Sequence, residues 1–182
     1  MQAAFLMSIM IVAAATAQIA ATDVAGQPVQ LFGAGSSKPV VLIFVRTDCP
    51  ISNRYAPEIE RLYLAYAQQV AFYAVYPDSQ ESAEAIQKHR SEYKFTVPVL
   101  RDPSHALVKL AKAQVTPEAA VFSARGELIY HGRIDNRYVS FGKAMNRPTR
   151  ADMENALQAV LAGRPVKEAV TRAIGCSLAD AK

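Results

Sequence analysis

Two unbroken apolar runs constrain this chain more than anything else in it. "VVLIFV", residues 40–45, and "VAFYAVYP", residues 70–77, are rich in β-branched and aromatic side chains and carry no charge. A strand with one wet face alternates apolar and polar residues, whereas an unbroken run suits a strand covered on both faces, as in a parallel sheet. The connection between the two runs is helical. In "ISNRYAPEIERLYLAYAQQ", Tyr55, Ile59, Leu62, Tyr63 and Tyr66 recur at helical spacing. Pro57 lies inside that segment and removes a backbone donor, which predicts a kink.

The remaining elements extend this strand-helix-strand unit. "ESAEAIQKHRSEYK" reads as an amphipathic helix, "VPVLRDP" as a short strand, and "SHALVKLAKAQ" as a short helix with Ser104 as N-cap. Residues 118–123 and 127–131 alternate around the turn residues Ala124 to Gly126 and predict a hairpin. "RADMENALQAVLAG" closes the pattern as an amphipathic helix ended by Gly163. Upstream, "GQPVQLFGAGSSKP" reads as a short strand and a turn. The expected fold class is α/β: a central mixed β-sheet flanked by helices on both faces.

At 182 residues the chain suits one domain. Its first residues, "MQAAFLMSIMIVAAATAQ", form an uncharged apolar run ending in Ala15-Thr16-Ala17. This reads as a signal peptide over residues 1–17, followed by a domain over 18–163 and a tail over 164–182 that shows no periodicity. The expected location is an exported one, periplasmic or extracellular. If the segment is not cleaved, it becomes a membrane anchor; if it is cleaved, no stable membrane insertion remains. In an oxidising space an even cysteine count favours disulfide chemistry. The net charge of +4 is spread over scattered lysines and arginines, which argues against a nucleic-acid partner.

Cys49 stands just past the carboxyl end of the first apolar run, where open sheets place their chemistry. Pro50 is suited to the first turn of a helix, so Cys49 falls at the helix start. Unpaired amides and the helix dipole there lower a thiol pKa. Arg46 and Arg54 would add to this effect, and Asp48 would oppose it.

The order of elements, the Cys-Pro at a strand-to-helix turn, Pro57 and the "VTPEAAVF" segment together resemble the thioredoxin fold, in particular the thioredoxin-like and peroxiredoxin-like redoxins of the alkyl hydroperoxide reductase and thiol-specific antioxidant type. The likeness runs over roughly Gln27 to Leu161. Thioredoxins open this helix with Cys-x-x-Cys and place a proline five residues later. In that register Ser52 stands where the second cysteine would be, and Pro57 matches the proline. Val115-Thr116-Pro117 is similar to the family segment whose cis proline lies against the active cysteine. The peroxiredoxin signature Pro-x-x-x-Thr-x-x-Cys is not matched, because Thr47 is two residues before Cys49 and no proline occupies the corresponding place.

The resemblance implies a thiol oxidoreductase with Cys49 as nucleophile, Thr47 and Ser52 as hydrogen-bond donors to its thiolate, and Thr116 and Pro117 shaping the groove. A peroxide or protein disulfide would be the substrate, and an external thiol the reductant. Cys176 is the remaining thiol, preceded by a glycine that permits close backbone approach. It either resolves the oxidised Cys49 or forms a permanent bridge with it that pins the tail of a non-catalytic binding module.

The segment from Gly132 to Pro148 is long for a compact domain, and its Arg133, Asp135, Arg137 and Tyr138 are candidates for a substrate or partner contact. His89 is expected on an exposed helix face. The three histidines lack ligand spacing, so neither a metal nor another cofactor is expected.

Overall fold

The computed structural model describes residues 21–33 and 37–178, so the expected signal segment lies outside the described residues. In chain order the elements are β1 (Ala21–Thr22), β2 (Pro28–Val29), β3 (Val40–Phe44), α1 (Pro50–Tyr66), β4 (Ala71–Tyr76), α2 (Ala83–Tyr93), β5 (Val99–Arg101) and α3 (Ala106–Ala111). There follow β6 (Val115–Thr116), β7 (Glu118–Phe122), β8 (Leu128–Gly132), β9 (Tyr138–Ser140), β10 (Lys143–Ala144), α4 (Asp152–Leu161) and β11 (Cys176–Ser177). The main sheet runs β2-β1-β5-β4-β3-β7-β8. Its centre, β3 with β4 and β4 with β5, is parallel, while β7 pairs antiparallel with β3 and with β8. This is the thioredoxin-like mixed sheet.

Every residue of β3 is buried, because the strand is central and covered on both sides. Val41 and Ile43 face one core with Tyr55, Ile59 and Leu62 of α1, Ile86 of α2 and Met153 and Leu157 of α4. Val40, Leu42 and Phe44 face the other core with Leu107, Val108 and Ala111 of α3. Each large apolar side chain fully buried in this way contributes about 1.5–3 kcal/mol. Helix α1 continues through Pro57, which leaves the carbonyl one turn before it without a helical donor.

Three local expectations are corrected. Ser104 does not cap α3: its N-cap is His105, in a left-handed conformation without a side-chain cap bond. The Asp102 carboxylate takes over, accepting from Val108 N at 2.9 Å. The long segment after β8 is not a bare loop, since β9 and β10 pair within it. The tail has structure too. It runs beside β8, with His131 N donating to Ala169 O and Thr171 N to His131 O. It then crosses so that β11 pairs antiparallel with β6, Cys176 opposite Thr116 and Ser177 opposite Val115. Leu178 fills a buried place in the second core.

Candidate active site

Cys49 is the N-cap of α1, and Pro50 opens the helix. The chain turns there because β3 ends in the core and proline fits the first helical turn, where its missing N–H costs nothing. The residue is 1% exposed. Its Sγ accepts from Ser52 N at 3.5 Å and, as a thiol, donates to Thr116 O at 3.1 Å. The Thr116–Pro117 bond is cis, as the resemblance implies. The β6–β11 pairing carries Cys176 to the same spot, and its thiol lies within hydrogen-bonding reach of Cys49 Sγ. Both cysteines are unbridged. Gly175 makes the approach feasible: a Cβ there would collide with the Thr116 carbonyl and crowd Pro117 N.

The two thiols are pushed in opposite directions. Burial raises the Cys49 pKa, but hydrogen bonds from Cys176, Ser52 and Thr116 outweigh it and leave the thiol below its ordinary value. The Ser52 and Thr116 hydroxyls are buried and make no fully formed hydrogen bond, yet both lie near enough to Sγ to favour its thiolate. Their protons are available to a negative sulfur. Burial and the neighbouring Cys49 push Cys176 up to about 12.

The other predicted residues divide. Thr47 does not reach the thiol: its N–H and hydroxyl both turn to Glu81, the amide at 2.6 Å from Oε1. Arg46 is held by Asp48 at 3.0 Å and Asp78 at 3.3 Å, and Arg54 is exposed. Neither arginine is among the hydrogen-bonding groups that lower the Cys49 pKa. The residues expected as a substrate or partner contact are engaged internally. Arg133 Nε bonds Asp152 at 2.7 Å, and Asp135, 4% exposed, accepts from the Tyr55 hydroxyl and from Arg137 N. Tyr138 packs on Tyr55, and the Arg137 guanidinium lies 5.5 Å from the centre of the Tyr55 ring.

Three contributors escaped the sequence reading. Glu118, directly after Pro117, accepts from Gln114 N at 2.8 Å and Val115 N at 3.3 Å and so shapes the turn into β6. Asn53 and His89 are joined at 2.8 Å. His89 is 4% exposed, so its expected place on a wet face is corrected. A signal was present, since Ile86 and His89 stand at i and i+3, on one stripe of α2.

The sequence pattern of the AhpC/TSA family matches residues 12–131. This chain belongs to that family. The matched part of the redoxin holds Cys49, Ser52 and Pro117, and Cys176 lies beyond it. No curated protein matches the sequence. Among solved structures, the redoxin is similar to an uncharacterised conserved protein from Geobacillus kaustophilus, at 28% identity and TM-score 0.73 over 88% of this chain and 87% of that one. It is also similar to a hypothetical protein from Sinorhizobium meliloti, at 27% identity and TM-score 0.74 over 87% and 88%. A secreted Mycobacterium tuberculosis disulfide oxidoreductase, 24% identical with TM-score 0.53 over 80% and 96%, shares the fold. Among the described residues no helix is long and apolar enough to cross a membrane.

Proposed function

We propose that this redoxin is an exported thiol-dependent oxidoreductase in which Cys49 is the nucleophile and Cys176 the resolving thiol. The observation that carries this reading is the convergence of donors on one buried sulfur: the Ser52 amide, the Ser52 and Thr116 hydroxyls and the Cys176 thiol. Such a set favours a thiolate, the attacking form of cysteine.

With a hydroperoxide, the Cys49 thiolate forms an S–O bond as the O–O bond breaks, and the departing alkoxide or hydroxide takes up a proton. Cys176 sulfur then attacks the Cys49 sulfenic acid. An S–S bond forms, the S–O bond breaks, and the hydroxyl leaves as water with the Cys176 proton. With a protein disulfide, the first product is a mixed disulfide, and the same attack by Cys176 expels the substrate thiolate. Two electrons from an external dithiol restore the enzyme in either case.

The pKa directions order these steps. The Cys49 thiolate is itself one cause of the high Cys176 pKa. Once Cys49 has reacted, that charge is gone and Cys176 becomes easier to ionise. The tail is thereby kept protonated until its turn.

A competing reading makes the Cys49–Cys176 bridge a permanent pin for the tail. Backbone pairing and buried Leu178 already hold the tail without a bridge, which favours the catalytic reading. The deciding experiment follows peroxide or insulin-disulfide reduction in Cys49→Ser and Cys176→Ser. Cys49→Ser is expected to be inactive, and Cys176→Ser to accumulate a sulfenic acid or mixed disulfide at Cys49. Unchanged turnover in both variants would remove the mechanism.

A further inference from the structure

Behind the loop that carries Cys49 runs a chain of hydrogen bonds, buried at its Tyr76–His89 end and half-buried beyond, that lies outside the thiol chemistry. The Tyr76 hydroxyl bonds His89 Nδ1 at 2.7 Å, and His89 Nε2 bonds Asn53 Oδ1 at 2.8 Å. Asn53 Nδ2 donates to Thr47 O at 3.0 Å, and Thr47 N donates to Glu81 Oε1 at 2.6 Å. The directions are set by chemistry. An amide oxygen only accepts, so Nε2 carries the proton, and Nδ1 is left to accept from Tyr76. His89 is therefore a neutral Nε2–H tautomer, and burial keeps it so by lowering its pKa. Around the ring stand Tyr76, Tyr93 and Phe95, with Glu92 as the nearby charge on its own helix.

Asn53 holds the loop at two points. Its backbone N–H donates to Cys49 O at 3.0 Å, while its side chain holds the Thr47 carbonyl two residues earlier. A side-chain amide fixed at one end by His89 thus closes the segment Thr47 to Asn53 into a compact turn. That turn aims Sγ.

We propose that Asn53 and His89 are positioning residues, which hold the Thr47 to Cys49 turn so that Cys49 Sγ stays in register with the Ser52 amide and the Ser52 and Thr116 hydroxyls. The inference rests on Cys49 being the working thiol. His89 acts through Asn53 and touches no reacting atom.

Gln is the discriminating substitute at position 89. Its carbonyl accepts from Tyr76 and its N–H donates to Asn53, whereas Phe fills similar space and does neither. The test titrates Cys49 by iodoacetamide alkylation against pH in the full chain carrying Cys176→Ser, with circular dichroism confirming the fold. His89→Phe is expected to raise the Cys49 titration midpoint and slow alkylation at pH 7 about tenfold, whereas His89→Gln stays within about twofold of the parent. Asn53→Asp, which places a carboxylate oxygen against the Thr47 carbonyl, is expected to match or exceed His89→Phe.

Equal midpoints in His89→Phe and the parent, or His89→Gln as impaired as His89→Phe, would overturn the proposal. If His89→Phe does not fold, Tyr76→Phe takes its place: it removes one hydroxyl, and about a threefold loss of alkylation rate is expected, against none if the chain is idle. The readout does not depend on turnover. Absent turnover in the chain that keeps both cysteines, with the variant ranking intact, would remove the redox reaction alone. Flat midpoints with turnover intact would remove the positioning role alone.

Discussion

Cys49 and Cys176 meet at one spot, yet the regions that deliver them are built differently. Cys49 sits between a fully buried strand and a 17-residue helix, and its turn is held by side chains from α1, α2 and β4. Cys176 arrives on an extended segment held by a two-residue ladder, a few backbone bonds and one buried leucine. One thiol is fixed by the core, the other by a strap. The difference fits the proposed division of labour: a nucleophile needs fixed donors to keep its charge, whereas a resolving thiol needs only proximity and a proton it can later give up.

The sharpest way to break this contrast is to remove each sulfur. Cys49→Ser should lower turnover to background, a loss on the order of 10⁴-fold or more, while Cys176→Ser should retain the first, stoichiometric step with oxidant. If Cys176→Ser also lost that step, the two thiols would not differ in role.

Oxidation should then convert the strap into a firm attachment. Closing so long a loop stabilises the oxidised form by about 5 kcal/mol on the chain-entropy model, or roughly 10–20 °C in Tm. Calorimetry of the oxidised and reduced protein measures this directly, and the gap should disappear in Cys176→Ser.

Gly175→Val tests the strap alone. The new side chain collides with the Thr116 carbonyl, at a cost of about 1–3 kcal/mol, and disulfide closure should slow about tenfold while alkylation of Cys49 by a small reagent persists. Closure at the parent rate, followed by rapid quench and mass analysis, would show that the glycine is not needed. On the other side, Tyr55→Phe removes the hydroxyl that Asp135 accepts and should cost about 1 kcal/mol in urea denaturation, with little effect on Cys176.

The smallest effect concerns pH. Cys176 has its folded pKa raised from 9.0 to about 12, so its contribution to stability is fully present below pH 9 and is lost as pH rises toward 12. Cys49 has the opposite sign. Its depressed pKa contributes stability that is present above 9.0 and lost as pH falls through the folded value. Removing Cys176 should therefore flatten the alkaline limb of a stability-pH curve, and a limb unchanged in Cys176→Ser would contradict the assignment.

Much of the scaffold was legible because long elements carry periodicity. β3, β4 and α1 appear where the apolar runs and helical spacing put them, and the cis Pro117 lies where the resemblance places it. Two-residue strands carry no period, so β6 is legible only through the likeness of Val115-Thr116-Pro117 to the family segment, and β11, which brings Cys176 to it, only through Gly175. Ser104 has the residue type of a cap, but Asp102 has the reach to bond Val108 N. Polar groups buried by tertiary partners were missed in the same way: His89 looks solvated until Asn53 and Tyr76 are placed around it.

The chain order of the two thiols also has a meaning in time. Ribosomes build from the N-terminus, so every strand of the main sheet, and the helix that begins at Cys49, is made before Cys176 exists. During that interval Cys49 would stand without its Cys176 donor, with an empty seat beside it. A small disulfide met in that interval would be cleaved by the Cys49 thiolate, releasing one thiol and leaving a mixed disulfide, and Cys176 on the arriving tail would then expel the second thiol. Maturation of the protein and its first catalytic turnover would be the same exchange.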